Sequence, residues 1–150
     1  MKLKTKDVVF VVLQCLLFIV YFFKINLYKF NSNYTISIIA IGLVVIGILL
    51  STVSLVLLNK NLSPFPSPKS NSVLVTRSVY NYIRHPIYTG IVLSFFGYAI
   101  YYGSAYKVLV STLLLILFYL KSDYEEKQLL KKFTNYNTYR KTTGRFFPKI

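Results

Sequence analysis

Acidic residues, cysteine and histidine are all scarce in this chain. Asp and Glu number four against 18 Lys and Arg, there is one Cys and one His, and only 15% of residues are charged. The lone Cys15 excludes an internal disulfide, and one histidine beside it cannot furnish a zinc ligand set, so no metal is expected. Charge is missing altogether from three apolar stretches, residues 8–23, 36–58 and 86–102, and a fourth, 104–120, holds Lys107 alone.

Hydrophobic residues make up 55% of the sequence, with a mean hydropathy of +0.52, more than a soluble domain of 150 residues needs for one core. The second stretch spans about 34 Å as a helix, enough to cross a hydrocarbon layer of about 30 Å. The other three lie near the lower length limit of about 17 residues. Tyr21, Tyr28, Tyr101, Tyr102, Tyr106 and Tyr119 flank the stretches as an interfacial aromatic belt would. The expectation is an all-α, multi-pass integral membrane protein with about four transmembrane helices. The first stretch follows Lys2, Lys4 and Lys6 as a signal peptide's apolar region would. Its flank, Tyr21-Phe22-Phe23-Lys24, offers no small-residue cleavage site, so it reads as a retained anchor.

With four spans, every Lys and Arg except Lys24, Lys29 and Lys107 falls on one side. The positive-inside rule assigns that side, and both termini, to the cytosol. A net charge of +14 would suggest nucleic acid in a soluble protein. Here the basic residues set topology and meet anionic membrane lipids, at about 1 kcal/mol each near the surface, and no nucleic-acid partner is expected.

Polar chemistry collects in two places. The first two spans hold little beyond Gln14 and a few Ser, Thr and Asn, so residues 1–58 read as a two-helix membrane anchor and 59–150 as the functional core. The loop 59–85 and the tail 121–150 carry every acid except Asp7, the only histidine and every proline except Pro86. Ser63-Pro64-Phe65-Pro66-Ser67-Pro68 favours a stiff extended spacer. In Arg84-His85-Pro86-Ile87-Tyr88-Thr89-Gly90, Pro86 suits a first helical turn whose free N–H groups, beside Arg84, favour an anion. A basic pair at a membrane boundary reads equally well as a topology signal. Gly90 would admit a close backbone approach by another helix or a ligand. Glu125 and Glu126 follow the fourth stretch; on a continuing helix they form i, i+4 pairs with Leu129 and Leu130, and a solvated, Lys-paired face is an equal reading. Phe133, Tyr136 and Tyr139 share one helical face.

In this order, over residues 72–148, these segments resemble the isoprenylcysteine carboxyl methyltransferase and phospholipid methyltransferase family of membrane enzymes. Leu74-Val75-Thr76 and Val79-Tyr80 precede the Arg84–Gly90 motif, a helical hairpin follows, and Glu125-Glu126-Lys127-Gln128-Leu129, the aromatic face, Arg145 and Pro148 close the set. The resemblance implies an enzyme dependent on S-adenosyl-L-methionine, its cofactor in a pocket formed with a cytosolic helical tail and its lipidic substrate arriving from the bilayer. It implies cofactor contacts at Ser72, Val73, Leu74, Val75, Tyr80, His85, Pro86, Ile87, Tyr88 and Glu125, with Arg84 beside them. Lys121 and Glu126 are the expected catalytic residues, Lys121 holding the acceptor's negative charge and Glu126, with His85 and Asp123, among the only bases at hand.

Two positions differ from the family pattern. Ser78 stands where a glycine is usual, and Lys121 stands where carboxyl-methylating members carry an arginine; lysine neutralises a carboxylate without a bidentate fork. The poverty of bases favours transfer to a lipidic oxygen acceptor that is already ionised. A lipid amine acceptor, or a non-catalytic four-span protein, are the alternative readings.

Overall fold

The computed structural model describes residues 4–25 and 27–149; Lys2, one of the counted topology signals, lies outside them. Every regular element among the described residues is helical: α1 (Thr5–Tyr21), α2 (Tyr34–Leu58), α3 (Pro86–Tyr101), α4 (Ala105–Lys132) and α5 (Tyr136–Thr142), with 3₁₀ turns at Asn59–Asn61 and Ser78–Asn81. Each apolar stretch has become a helix with a local start signal. The Asn33 side chain caps α2 by accepting from the Ile36 N–H at 2.9 Å. Ser104 caps α4 through the Lys107 N–H at 3.3 Å. Pro86 occupies the first turn of α3, where its missing N–H costs nothing.

Among the described residues, two helices are long and apolar enough to cross a membrane, α2 with its 3₁₀ extension and α4. At 17 and 16 residues, α1 and α3 are shorter. Only Ala40, Gly47 and Ser54 of α2 are buried, while Ile39 and Val56 are 59% and 72% exposed. An all-round apolar helix that buries only small residues has lipid as its fitting solvent.

Small residues let α2 and α3 meet backbone to backbone, as anticipated at Gly90. A Cβ added to Gly90 would lie 2.4 Å from the Gly47 carbonyl oxygen, and one on Gly97 would lie 2.6 Å from that of Ala40. Ser94 Oγ bridges the pair, donating to the Gly90 carbonyl at 2.9 Å and the Val44 carbonyl at 3.4 Å.

Antiparallel to α4, α1 pairs with it rung by rung. Lys4 Nζ donates to Gln128 Oε1 at 2.7 Å, Phe10 packs on Tyr124 at 5.8 Å between ring centroids, and Lys121 Nζ donates to Gln14 Oε1 at 2.6 Å. Leu114, Leu117 and Phe118 form the core between these helices and α3, packed by Leu17 and Phe95. At the far end, Tyr106 OH donates to the Val20 carbonyl and Lys107 Nζ to the Tyr21 carbonyl, both at 2.7 Å.

That far end corrects two sequence expectations. Tyr21 and Tyr106 are buried, not part of an interfacial belt; their hydroxyls are consumed by the Phe95 and Val20 carbonyls. Tyr28, Tyr101, Tyr102 and Tyr119 are exposed, as a belt requires. Lys107, counted as a loop charge, is also buried, its ammonium 4.3 Å from the Tyr21 ring centroid and 5.4 Å from that of Tyr98. The aromatic faces and the carbonyl at the C-terminal end of α1 compensate its charge.

Gly90→Leu would drive α2 and α3 apart and is expected to cost about 1–3 kcal/mol, read as a lower melting temperature in detergent. Gly42→Ala, whose Cβ meets nothing within 4 Å, should leave that temperature unchanged or slightly raised.

Candidate active site

At 28 residues α4 is about 42 Å long, more than a hydrocarbon layer of about 30 Å is thick. Its apolar run ends at Leu120, and the segment beyond it carries Asp123, Glu125 and Glu126. Glu126 is only 1% exposed. Its Oε1 accepts from Arg84 Nε at 3.0 Å and His85 Nε2 at 3.2 Å, and Arg145 Nε lies 3.2 Å away as an ion-pair partner. Its Oε2 lies 3.3 Å from Arg145 Nη2 and 3.4 Å from Arg140 Nε. Burial alone would raise the Glu126 carboxyl; the hydrogen bonds and charges of His85 and Arg84 outweigh it and hold the group down at about 2.

This carboxylate gathers two segments distant in sequence. Gly144 N–H donates to the Tyr82 carbonyl at 3.1 Å, Arg84 N–H to the Gly144 carbonyl at 2.9 Å, and His85 N–H to the Arg145 carbonyl at 3.0 Å. Arg84 Nη1 also donates to the Thr143 carbonyl. Thr89 Oγ1 extends the strap to the Phe146 carbonyl at 3.0 Å. The tail beyond α5 is thereby laid along the Arg84-His85 segment at the start of α3.

The orientation of His85 follows. An ionised carboxylate only accepts, so His85 Nε2 donates to Glu126, and Nδ1 faces Glu125 Oε2 at 3.8 Å. The imidazole is stacked on Tyr88 with 5.5 Å between centroids and 2° between planes, and Tyr88 is stacked on Phe118 at 4.5 Å. Tyr88 OH donates to Glu125 Oε2 at 2.9 Å. Glu125 and His85 therefore sit side by side at the mouth of the bundle, each fixed by a second contact.

Two cavities meet there. A cleft of about 670 Å³, its open mouth included, lies between the proline-rich loop, α4 and α5; Ser72, Val73, Leu74 and Val75 line it with Phe65, Leu129, Tyr136 and Tyr139. A second, largely apolar cavity of about 970 Å³ reaches into the helices, past Ser51, Leu55, Ile87 and Ile91 to Gln14 and Lys121. Leu58, Ser63, Tyr80, Arg84, His85 and Glu125 border both. Pro86, Ile87 and Tyr88, expected among the cofactor contacts, border the second cavity and not the first. Lys121 lines the second cavity, and Glu126 lines neither.

The cleft wall is held from outside. Asn61 Oδ1 accepts from the Val73 N–H at 3.0 Å, and Lys132 Nζ donates to Ser72 Oγ at 2.8 Å. Tyr139 OH donates to the Tyr80 carbonyl at 2.5 Å. Burial pushes the Tyr139 phenol up to about 12 and those of Tyr80 and Tyr136 higher still, so all three remain donors at neutral pH. The Tyr136 hydroxyl is buried without a partner among the described residues. Ser78, in place of the family's usual glycine, has φ +57°, in the left-handed region that glycine adopts without strain.

Three lining residues do not stand out as site residues in the sequence. Gln14 and Ser51 lie within the stretches that read as an anchor, and Tyr136 reads only as part of an aromatic face. The one signal for Gln14 is an amide inside an uncharged apolar run, a group costly to bury without a task or a partner.

The family model for phospholipid methyltransferases matches residues 35–136. No curated protein matches the chain. The match spans more than half of the 150 residues, and the chain belongs to the phospholipid methyltransferase family, in agreement with the motifs quoted above.

Glu126→Gln should destabilise the protein by about 3–5 kcal/mol at pH 7, because the buried Arg84 guanidinium and its neighbour Arg145 lose their shared counter-charge. The folded-state pKa is depressed, so the Glu126 contribution is complete above the ordinary carboxylate value of about 4.3 and lost as pH falls toward about 2. Melting temperatures measured in detergent across that window should fall more steeply for the wild type than for Glu126→Gln.

Proposed function

We propose that this phospholipid methyltransferase family member transfers a methyl group from S-adenosyl-L-methionine to an oxygen of a lipidic acceptor. The chain would cross the membrane four times with both ends in the cytosol. The observation that carries the reading is that a cleft between the proline-rich loop and the tail and an apolar cavity among the helices share Tyr80, Arg84, His85 and Glu125 as a common border. A water-soluble donor and a lipid-borne acceptor need such a border, one side open to the cytosol and the other to the bilayer.

The donor set of the cleft fits the cofactor. Glu125 offers a carboxylate to the cofactor's ammonium, Tyr80 and Tyr139 offer aromatic faces to a cation, and the unpartnered Tyr136 hydroxyl offers a donor. When bound, S-adenosyl-L-methionine supplies an electrophilic methyl on a sulfonium. The residues of this chain hold the two partners in line and exclude water, which is most of what methyl transfer requires. Lys121 neutralises the acceptor's oxyanion within the apolar cavity. The acceptor oxygen forms the new O–C bond as the S–C bond breaks, the electron pair passes to sulfur, and a carboxylate acceptor has no proton to lose. Glu126, turned away from both cavities, positions His85 and the tail.

Transfer to a lipid amine is the second reading, favoured by the description of the matched family and by the Glu125 carboxylate at the border, which attracts an ammonium. The amine must first be deprotonated, and His85 Nδ1 is the base at hand.

Incubating the purified protein with methyl-labelled cofactor and membrane lipids should yield a labelled, base-labile ester. A label in a base-stable lipid amine would select the second reading, and failure to bind S-adenosylhomocysteine would leave a non-catalytic membrane protein. Lys121→Ala should raise the acceptor KM at least about tenfold while the S-adenosylhomocysteine Kd moves less than about twofold. Tyr136→Phe should weaken S-adenosylhomocysteine about two- to twelvefold in calorimetry, the worth of one ordinary hydrogen bond.

A further inference from the structure

The first helix lies outside the residues matched by the family model, yet it places one polar side chain in the second cavity. Gln14 is half-buried on α1, and its Oε1 accepts from Lys121 Nζ at 2.6 Å. Lys121 is 1% exposed, and Gln14 is its one hydrogen-bond partner among the described residues; the Tyr88 ring lies beside it, with the ammonium 5.3 Å from the centroid, and Glu125 and Cys15 are near enough to act on its charge. An ammonium has three N–H groups, so one is engaged by the amide and two remain for a ligand in a cavity that both residues line. A buried ammonium with spare donors in an apolar cavity selects an anionic oxygen over a neutral one.

We infer that Gln14 is a specificity-determining residue: by clamping Lys121 from α1 it directs the ammonium at the head of an anionic lipid, a long-chain carboxylate or similar oxyanion. Gln14 suits the task because it is neutral. An acid there would cancel the Lys121 charge, and an apolar residue would leave the lysine free to swing toward Glu125, which borders the same cavity. The inference rests on reading the second cavity as the acceptor site, and it needs binding only, not turnover.

The test uses the full chain in detergent and two probes of equal tail, N-acetyl-S-farnesylcysteine and its methyl ester, which replaces the carboxylate charge by a neutral methyl ester. Binding of each is titrated for wild type, Gln14→Glu and Gln14→Leu, with the S-adenosylhomocysteine Kd as the control for an intact fold. The wild type should prefer the carboxylate about tenfold or more, the worth of a charge-assisted hydrogen bond. Gln14→Glu should reduce that preference to within about twofold, and Gln14→Leu to about threefold, both with an unchanged S-adenosylhomocysteine Kd. If Gln14→Glu does not fold, the comparison of Gln14→Leu with the wild type decides the matter alone.

A wild type indifferent to the charge overturns the inference, as does a variant that keeps the full preference. A parallel loss of carboxylate and S-adenosylhomocysteine binding also overturns it, because Gln14 would then only support the fold. Selective binding of the carboxylate without its methylation leaves the inference standing and counts against methyl transfer to that oxygen.

Discussion

The neutralisation of several cations by one buried carboxylate organises the functional end of this molecule. Acids are so few that Glu126 is shared by Arg84, Arg140, Arg145 and His85, with Asp123 helping at Arg145 and Glu125 at His85. Removing the Glu126 carboxylate and the Arg84 guanidinium, and much of Arg145, from water is costly, and the cost is offset only when the geometry brings them together. The arrangement therefore demands one relation between the end of α4, the start of α3 and the C-terminal tail. The backbone bonds between Tyr82–His85 and Gly144–Arg145 lock that relation in place.

From that constraint the division of labour at the site follows. Glu126 is spent on assembly, which leaves its neighbour Glu125 to face both cavities, and it turns the His85 imidazole so that Nδ1 faces Glu125. The helices below supply the apolar cavity, closely packed between α2 and α3 through glycine and joined between α1 and α4 by a polar ladder. At the far end the buried Lys107 ties α4 to the last carbonyls of α1, so the α1–α4 pair is fastened at both ends. A rigid bundle carrying a site at one end is the arrangement that methyl transfer asks for, because positioning is most of the work.

Much of this was legible from the chain because it rests on local rules. Apolar runs became helices, Pro86 began α3, Gly90 met another backbone, and the family motifs agreed with the family match. What escaped depends on which face of a helix meets which neighbour. Tyr21 and Tyr106 look like belt residues by position, and only the pairing of α1 with α4 buries them. Lys107 looks like a loop charge until aromatic rings and a carbonyl close around it. Glu125 and Glu126 are indistinguishable as letters; one turn of α4 sends the first into the cavities and the second into a nest of arginines. Gln14 and Ser51 belonged to stretches whose composition announced only membrane.

The central claim is that a cytosolic cofactor and a lipid meet at the border formed by Tyr80, His85 and Glu125. The most direct measurement is an experimental structure of the protein with S-adenosylhomocysteine bound in a lipid bilayer mimic. The ligand is expected in the cleft behind residues 72–75, its amino group on Glu125 and its sulfur turned toward the apolar cavity. Ligand density elsewhere, or a His85 and Glu125 parted by the membrane, would contradict the claim.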